Sequence, residues 1–101
     1  MRIDFSPQVR DDKLFVARVG DILAINGTAY DFTDLPEGGV LPATAVDCEF
    51  VIGDVTRVAG LIHITILLPI PADAPTEACF PQPIINPPDG RIQLPGERNA
   101  D

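Results

Sequence analysis

Proline divides this chain. Of its eleven prolines, three (Pro7, Pro36 and Pro42) fall in residues 1–68, and eight (Pro69, Pro71, Pro75, Pro81, Pro83, Pro87, Pro88 and Pro95) fall in residues 69–101. A proline gives no N–H to a sheet ladder and interrupts a helix. The first two thirds can therefore form a sheet, while the last third is expected to be extended or turn-rich. At 101 residues and 10.8 kDa the chain has the size of one domain. The expected division is a β domain over 1–68 and a Pro-rich C-terminal arm over 69–101, partly packed on the domain and frayed after residue 95.

Within the first two thirds the apolar pattern has the period of a strand. Val46, Cys48, Phe50 and Ile52 alternate with Asp47, Glu49 and Val51, and Ile62, Ile64, Ile66 and Leu68 alternate with Leu61, His63, Thr65 and Leu67. Short turn signals separate such runs. Asn26-Gly27 suits a type I′ hairpin, Gly20-Asp21 and Gly53-Asp54 suit type II′ turns, and Ala59-Gly60 is a weaker turn signal. Helix signals are poor, the best being Asp73 to Cys79 with Pro75 in a first turn.

These turns predict pairings. In a meander over 14–32, Ile25 lies opposite Thr28, Leu23 opposite Tyr30, Val19 opposite Ile22 and Ala17 opposite Ala24. In a second meander over 46–68, Ile52 meets Val55, Phe50 meets Arg57 and Val58 meets Leu61. Shifting the chain by 33 positions lays Gly20-Asp21 on Gly53-Asp54 and Gly27 on Gly60, an internal repeat or a shared need for the same turn chemistry. Either origin leads to an all-β fold: two three-stranded antiparallel meanders packed as a small sandwich or flattened barrel. Ile3-Asp4-Phe5 and Ile92-Gln93-Leu94 can add edge strands.

Two features resist that picture. The first meander is apolar on both faces, Leu23, Ile25 and Tyr30 on one, Phe15, Ala17, Val19, Ile22 and Ala24 on the other. A two-layer domain buries one face, so the arm, a second copy of the chain or a foreign partner is expected over the other. Arg18 and Arg57 also fall at inward-facing positions. That implies either a register off by one or stems lying on apolar surface with heads in water.

The residue inventory excludes more than it includes. Lys plus Arg is 7 against 15 for Asp plus Glu, a net charge of -8, and the basic residues are scattered. That disfavours nucleic acid, which needs clustered cations, and an anionic membrane surface. No apolar run approaches the ~18 residues of a membrane helix, and Met1-Arg2-Ile3-Asp4 does not open a signal peptide. The chain is expected to stay in the cytoplasm. Cys48 reads as a small core residue; a bridge from it to Cys79 is disfavoured in a reducing compartment.

His63 is the one histidine, on the Leu61/Thr65 side of its strand near Thr56, and reads as a strand-surface side chain without a base's or metal ligand's partners. Ser6, the one serine, sits before Pro7, and the pairs Asp31/Asp34 and Asp47/Glu49 read as turn and solvated-face carboxylates. No catalytic, cofactor-binding or metal-binding residue is expected, and no cofactor.

The succession Arg10-Asp11-Asp12, Gly20-Asp21-x-Leu23-x-Ile25-Asn26-Gly27, Asp31-Phe32, Leu35-Pro36-x-Gly38, Leu41-Pro42-Ala43, Cys48-Glu49, Leu67-Leu68-Pro69, Phe80-Pro81 and Pro88-Asp89-Gly90 resembles a family of small uncharacterised proteins. They are encoded in proteobacterial prophages and tailed-phage genomes near tail genes. The likeness runs from residue 2 to about 95 and rests on turn and strand residues. It implies a setting, phage tail structure or assembly in the host bacterial cytoplasm or the virion, and transfers no functional residues. In that setting the partners are phage tail or assembly proteins, or another copy of the chain. A proline-stiffened arm loses little entropy on docking. Phe80, Ile84, Ile85, Ile92 and Leu94 are its candidate anchors, with Phe15 and Ile22 on the open meander face. Alternatively the arm wraps its own domain, and its apolar residues complete the core.

Overall fold

A computed structural model describes residues 1–95. Nine strands run β1 (Arg2–Val9), β2 (Val16–Val19), β3 (Ile22–Ile25), β4 (Thr28–Asp31), β5 (Val40–Leu41), β6 (Val55–Val58), β7 (Leu61–Ile70), β8 (Ile84–Ile85) and β9 (Gly90–Arg91). Two one-turn helices, α1 (Ala43–Val46) and α2 (Thr76–Cys79), interrupt them. The strands form a five-stranded sheet in the order β5-β6-β7-β1-β8 and a four-stranded sheet in the order β4-β3-β2-β9. The fold is an all-β sandwich, not a closed barrel. Ile3, Val55, Ile62, Ile64 and Ile66 of the larger sheet share one buried cluster with Val16, Leu23 and Ile25 of the smaller. Among the described residues no helix is long and apolar enough to cross a membrane.

The first meander follows its turn residues. Ile25 pairs with Thr28, Leu23 with Tyr30, Val19 with Ile22 and Ala17 with Ala24. Asn26 and Gly27 both have positive φ, as a two-residue type I′ turn requires, and Gly20 alone has it at the β2–β3 turn, matching type II′. The Asn26 side chain also accepts the Phe15 N–H (2.7 Å) and donates to the Lys13 carbonyl (3.0 Å), tying down the strand's approach.

The larger sheet departs from a meander. Val58 pairs with Leu61 as the Ala59-Gly60 turn implies, but Ile52 does not meet Val55, nor Phe50 Arg57. Ala43–Val46 form α1, closed by Asp47 in the left-handed region. Val51 then bridges Ile66 on β7 while Thr56 pairs with His63 of the same strand. Gly53-Asp54 is thus a bulge along β7 and not a hairpin, and the 33-residue repeat stops there. The ten-residue β7 offers edge enough for both segments, and β5 occupies the far side of β6 through Val40–Thr56 and Leu41–Val55. At the Ala59-Gly60 turn, Glu37 accepts both backbone N–H groups (2.8 and 2.7 Å), which holds an alanine at positive φ.

The centre of this sheet is a parallel pair, β1 on β7, registered from Arg2–His63 to Val9–Ile70. Two prolines sit inside these strands, and backbone parity explains both. The Arg10 N–H bonds the Ile70 carbonyl, so even-numbered positions of β1 face β7. Odd-numbered positions face the other edge, where the Asn86 N–H bonds the Met1 carbonyl. Pro7 is odd, so its missing N–H falls on the open edge past the two-residue β8. On β7 the Leu67 N–H bonds the Phe50 carbonyl, away from β1. Pro69 shares that parity and lies beyond the last bridge.

The proline-rich segment closes both sheets. β7 itself runs through Pro69 to Ile70. β8 pairs with Arg2–Ile3 of the larger sheet and β9 with Ala17–Arg18 of the smaller. Between them Asp89 accepts the Gly20 N–H, and just past β9 the Ile92 N–H donates to the Val16 carbonyl. Ala78, Ile92 and Leu94 are core residues. The expected fraying after residue 95 lies outside the described residues.

Candidate functional site

Arg18 and Arg57 do point between the sheets. Arg18 pairs with Leu23, as the Gly20-Asp21 turn implies, and Arg57 pairs with Ile62 and not with Phe50; both partners are fully buried. Their heads are held by protein rather than by bulk water. Arg57 donates to the carbonyls of Leu35, Phe32 and Gly60, and pairs with Asp21 at 2.9 Å, joining β6 to the β2–β3 turn of the opposite sheet. Arg18 donates to the Pro87 carbonyl and lies 3.5 Å from Asp89, joining β2 to the proline-rich segment. Its Nε is buried without a partner among the described residues. The Met1 amino group bonds the Asn86 side chain (3.2 Å). Burial, aided by Arg18 and Arg57, holds that amine below its ordinary range against the pull of Asp21. This polar seam closes the sandwich.

The groups considered for chemistry stay apart. His63 stands in a row with Arg2 and Thr56 across the outer face of the larger sheet. Cys48 and Cys79 are free thiols. Cys48 lies in the turn after α1, half-buried, not in a core strand. It shares a depression of about 240 Å³ with Tyr30, Asp47 and Glu49. Hydrogen bonding to Cys48, then burial and the charges of Cys48 and Asp47, push the Tyr30 phenol up. No group of three or more His, Cys, Asp or Glu side chains able to hold a metal occurs among the described residues.

Two of the exposed apolar surfaces among the described residues sort the residues singled out from the sequence. On the proline-rich segment Phe80 is 76% and Ile85 57% exposed, while Ile84 is half-buried. Phe80, Pro83, Ile84 and Pro95 form the apolar wall of an open groove of about 580 Å³, with the Gln82 and Gln93 amides at its margin. Ile92 and Leu94 do not belong to this surface. At 4% and 9% exposure they face the core, because β9 turns that stretch inward beside β2. The arm thus does both things the sequence left open: it completes the core with one part and presents side chains with another.

The second surface is the outer face of the four-stranded sheet. Phe15 is 47% and Val19 62% exposed, and Ile22 is half-buried beside Val19. Among the described residues the proline-rich segment extends this sheet at its edge as β9. Arg91 lies over the Phe15 ring, 5.6 Å from its centroid. Comparison with protein-family models, with curated proteins and with solved structures found no match.

Proposed function

We propose that this chain is a non-enzymatic phage structural or tail-associated protein, made in the host bacterial cytoplasm, that works through protein–protein contacts. The observation that carries the reading is the Phe80–Ile85 surface. Large apolar side chains stand in water on a backbone stiffened by Pro81 and Pro83 and held between α2 and β8, which pairs with β1. A pre-ordered segment loses less entropy on docking, so a small contact can hold. The resemblance to phage-encoded proteins supplies the setting, a tail or tail-assembly component. A soluble, acidic body with these side chains suits an accessory protein of a virion or a chaperone of its assembly. The net charge of -8, with Asp47 and Glu49 exposed, favours one further reading, an acidic inhibitor of a host protein.

The test compares the full chain with Phe80→Ser and Ile85→Ser in affinity capture from phage-producing cells, with mass-spectrometric counting of tail proteins. Point changes are needed because removing the segment would also remove Ile92 and Leu94 from the core. A tail component recovered with the parent chain and at least ~10-fold depleted with Phe80→Ser is expected, as for an interface anchor. Equal recovery with all three chains sinks the reading. A host protein lost only on charge reversal at Asp47 and Glu49 establishes the inhibitor instead. Presence in purified virions separates a structural part from a chaperone.

A further inference from the structure

We propose that Asn26-Gly27 is a deamidation site that the fold keeps closed, and that its conversion loosens the approach to β2. The reaction needs only water. The Gly27 backbone nitrogen gives up its proton to water and bonds to the Asn26 side-chain carbonyl carbon. The bond from that carbon to Nδ2 breaks and ammonia leaves. Water then opens the five-membered imide to aspartate or to isoaspartate, with no change of oxidation state. Glycine sets no Cβ in the path of attack. Both residues are exposed, and no atom lies within 4 Å of where a Gly27 Cβ would stand. Asn86 lacks this route, because Pro87 has no N–H to give up.

The native hairpin engages the amide elsewhere. Oδ1 accepts the Phe15 N–H (2.7 Å), Nδ2 donates to the Lys13 carbonyl (3.0 Å), and the backbone N–H of Asn26 donates to the Phe15 carbonyl (2.8 Å). Both side-chain bonds must break before the carbonyl carbon can turn onto Gly27. The products cannot rebuild this arrangement. Aspartate has no N–H for the Lys13 carbonyl, and it adds a charge to the depression that Asn26 shares with Asp47 and Glu49. Isoaspartate runs the backbone through Cβ, and the extra atom does not fit a two-residue turn that holds Ile25 against Thr28. The change runs one way, so it marks chains whose hairpin has opened. This inference does not rest on the proposed function, and its test uses the purified chain alone.

The experiment incubates the full chain in mildly alkaline bicarbonate, native and in denaturing urea, and follows amide-to-acid conversion by peptide mass spectrometry with Asn86 as the unreactive control. Asn26 is expected to convert at least ~10-fold more slowly in the native chain. Phe15→Pro deletes the N–H that Oδ1 accepts and should speed native conversion by about 5-fold or more, while Ile66→Ala in the larger sheet leaves it within ~2-fold, as local opening requires. Asn26→Asp should raise the unfolding equilibrium constant about 5-fold. Equal conversion in native and urea-treated chains overturns the proposal. So does acceleration by Ile66→Ala as large as that by Phe15→Pro, and so does an Asn26→Asp chain as stable as the parent. Should Phe15→Pro fail to fold, the native-against-urea comparison on the parent chain decides alone.

Discussion

The two sheets use the same kinds of residue and reach their pairings by different routes. In the four-stranded sheet every neighbour except β9 is reached through a two-residue turn, so each register follows from a local signal, Gly20-Asp21 or Asn26-Gly27. In the five-stranded sheet the central contact is β1 on β7, between residues about sixty positions apart. No turn sets that register; the shared apolar parity of Ile3 and Phe5 with Ile64 and Ile66 does. Turn chemistry dictates a ribbon's internal order, while burial decides which ribbons meet.

The strongest way to break this comparison is to empty the larger sheet. Ile66→Ala, at a fully buried site of β7, is expected to cost about 2–5 kcal/mol in urea denaturation. Val19→Ala on the exposed face of the smaller sheet should stay within ~0.5 kcal/mol. Similar costs at both sites would place the outer face in a core that the structure does not give it.

Moving a proline by one position tests the parallel register. Ser6→Pro removes an N–H directed at β7 and is expected to cost on the order of 2–3 kcal/mol, whereas Pro7→Ala stays within ~0.5 kcal/mol. Reversed results would mean a register shifted by one.

The seam between the sheets comes next. In a double-mutant cycle Arg57→Met and Asp21→Asn should show a coupling of about 1–2 kcal/mol, since the pair is partly shielded and bridges two layers. Additive losses would mean that the carbonyl contacts of Arg57, and not Asp21, hold the sheets together.

The smallest effect sharpens the local side of the comparison. The Thr33 hydroxyl and backbone N–H bond Asp31 and hold its carboxyl below the ordinary 3.8. Its stabilising contribution is therefore present above the ordinary carboxylate range and is lost as pH falls through the lowered value. Thr33→Val should raise the Asp31 titration midpoint in an NMR pH series; an unmoved midpoint would show that the backbone N–H alone sets it.

Legibility of the candidate surfaces follows the same line. Phe80, Ile85, Phe15 and Ile22 could be picked out because large apolar residues on a proline-broken segment, or on the second face of a ribbon, lack an obvious cover. Ile92 and Leu94 carried the same signal and are core. Only the β9–β2 contact, across more than seventy residues, turns them inward. Arg57 gave a correct signal that looked like an error: an inward arginine contradicts a sandwich until Leu35, Phe32 and Asp21 from distant loops arrive to bond it.

By itself the sequence determined the β class, the first meander with its registers, and the Ala59-Gly60 hairpin, because positive φ and period-two alternation act within a few residues. Tertiary structure alone decided that Gly53-Asp54 bulges along β7, that β1 lies parallel to it, and that the proline-rich segment edges both sheets. Those outcomes depend on which distant strand edge is open and which apolar face is still uncovered, and neither quantity exists until the rest of the chain is in place.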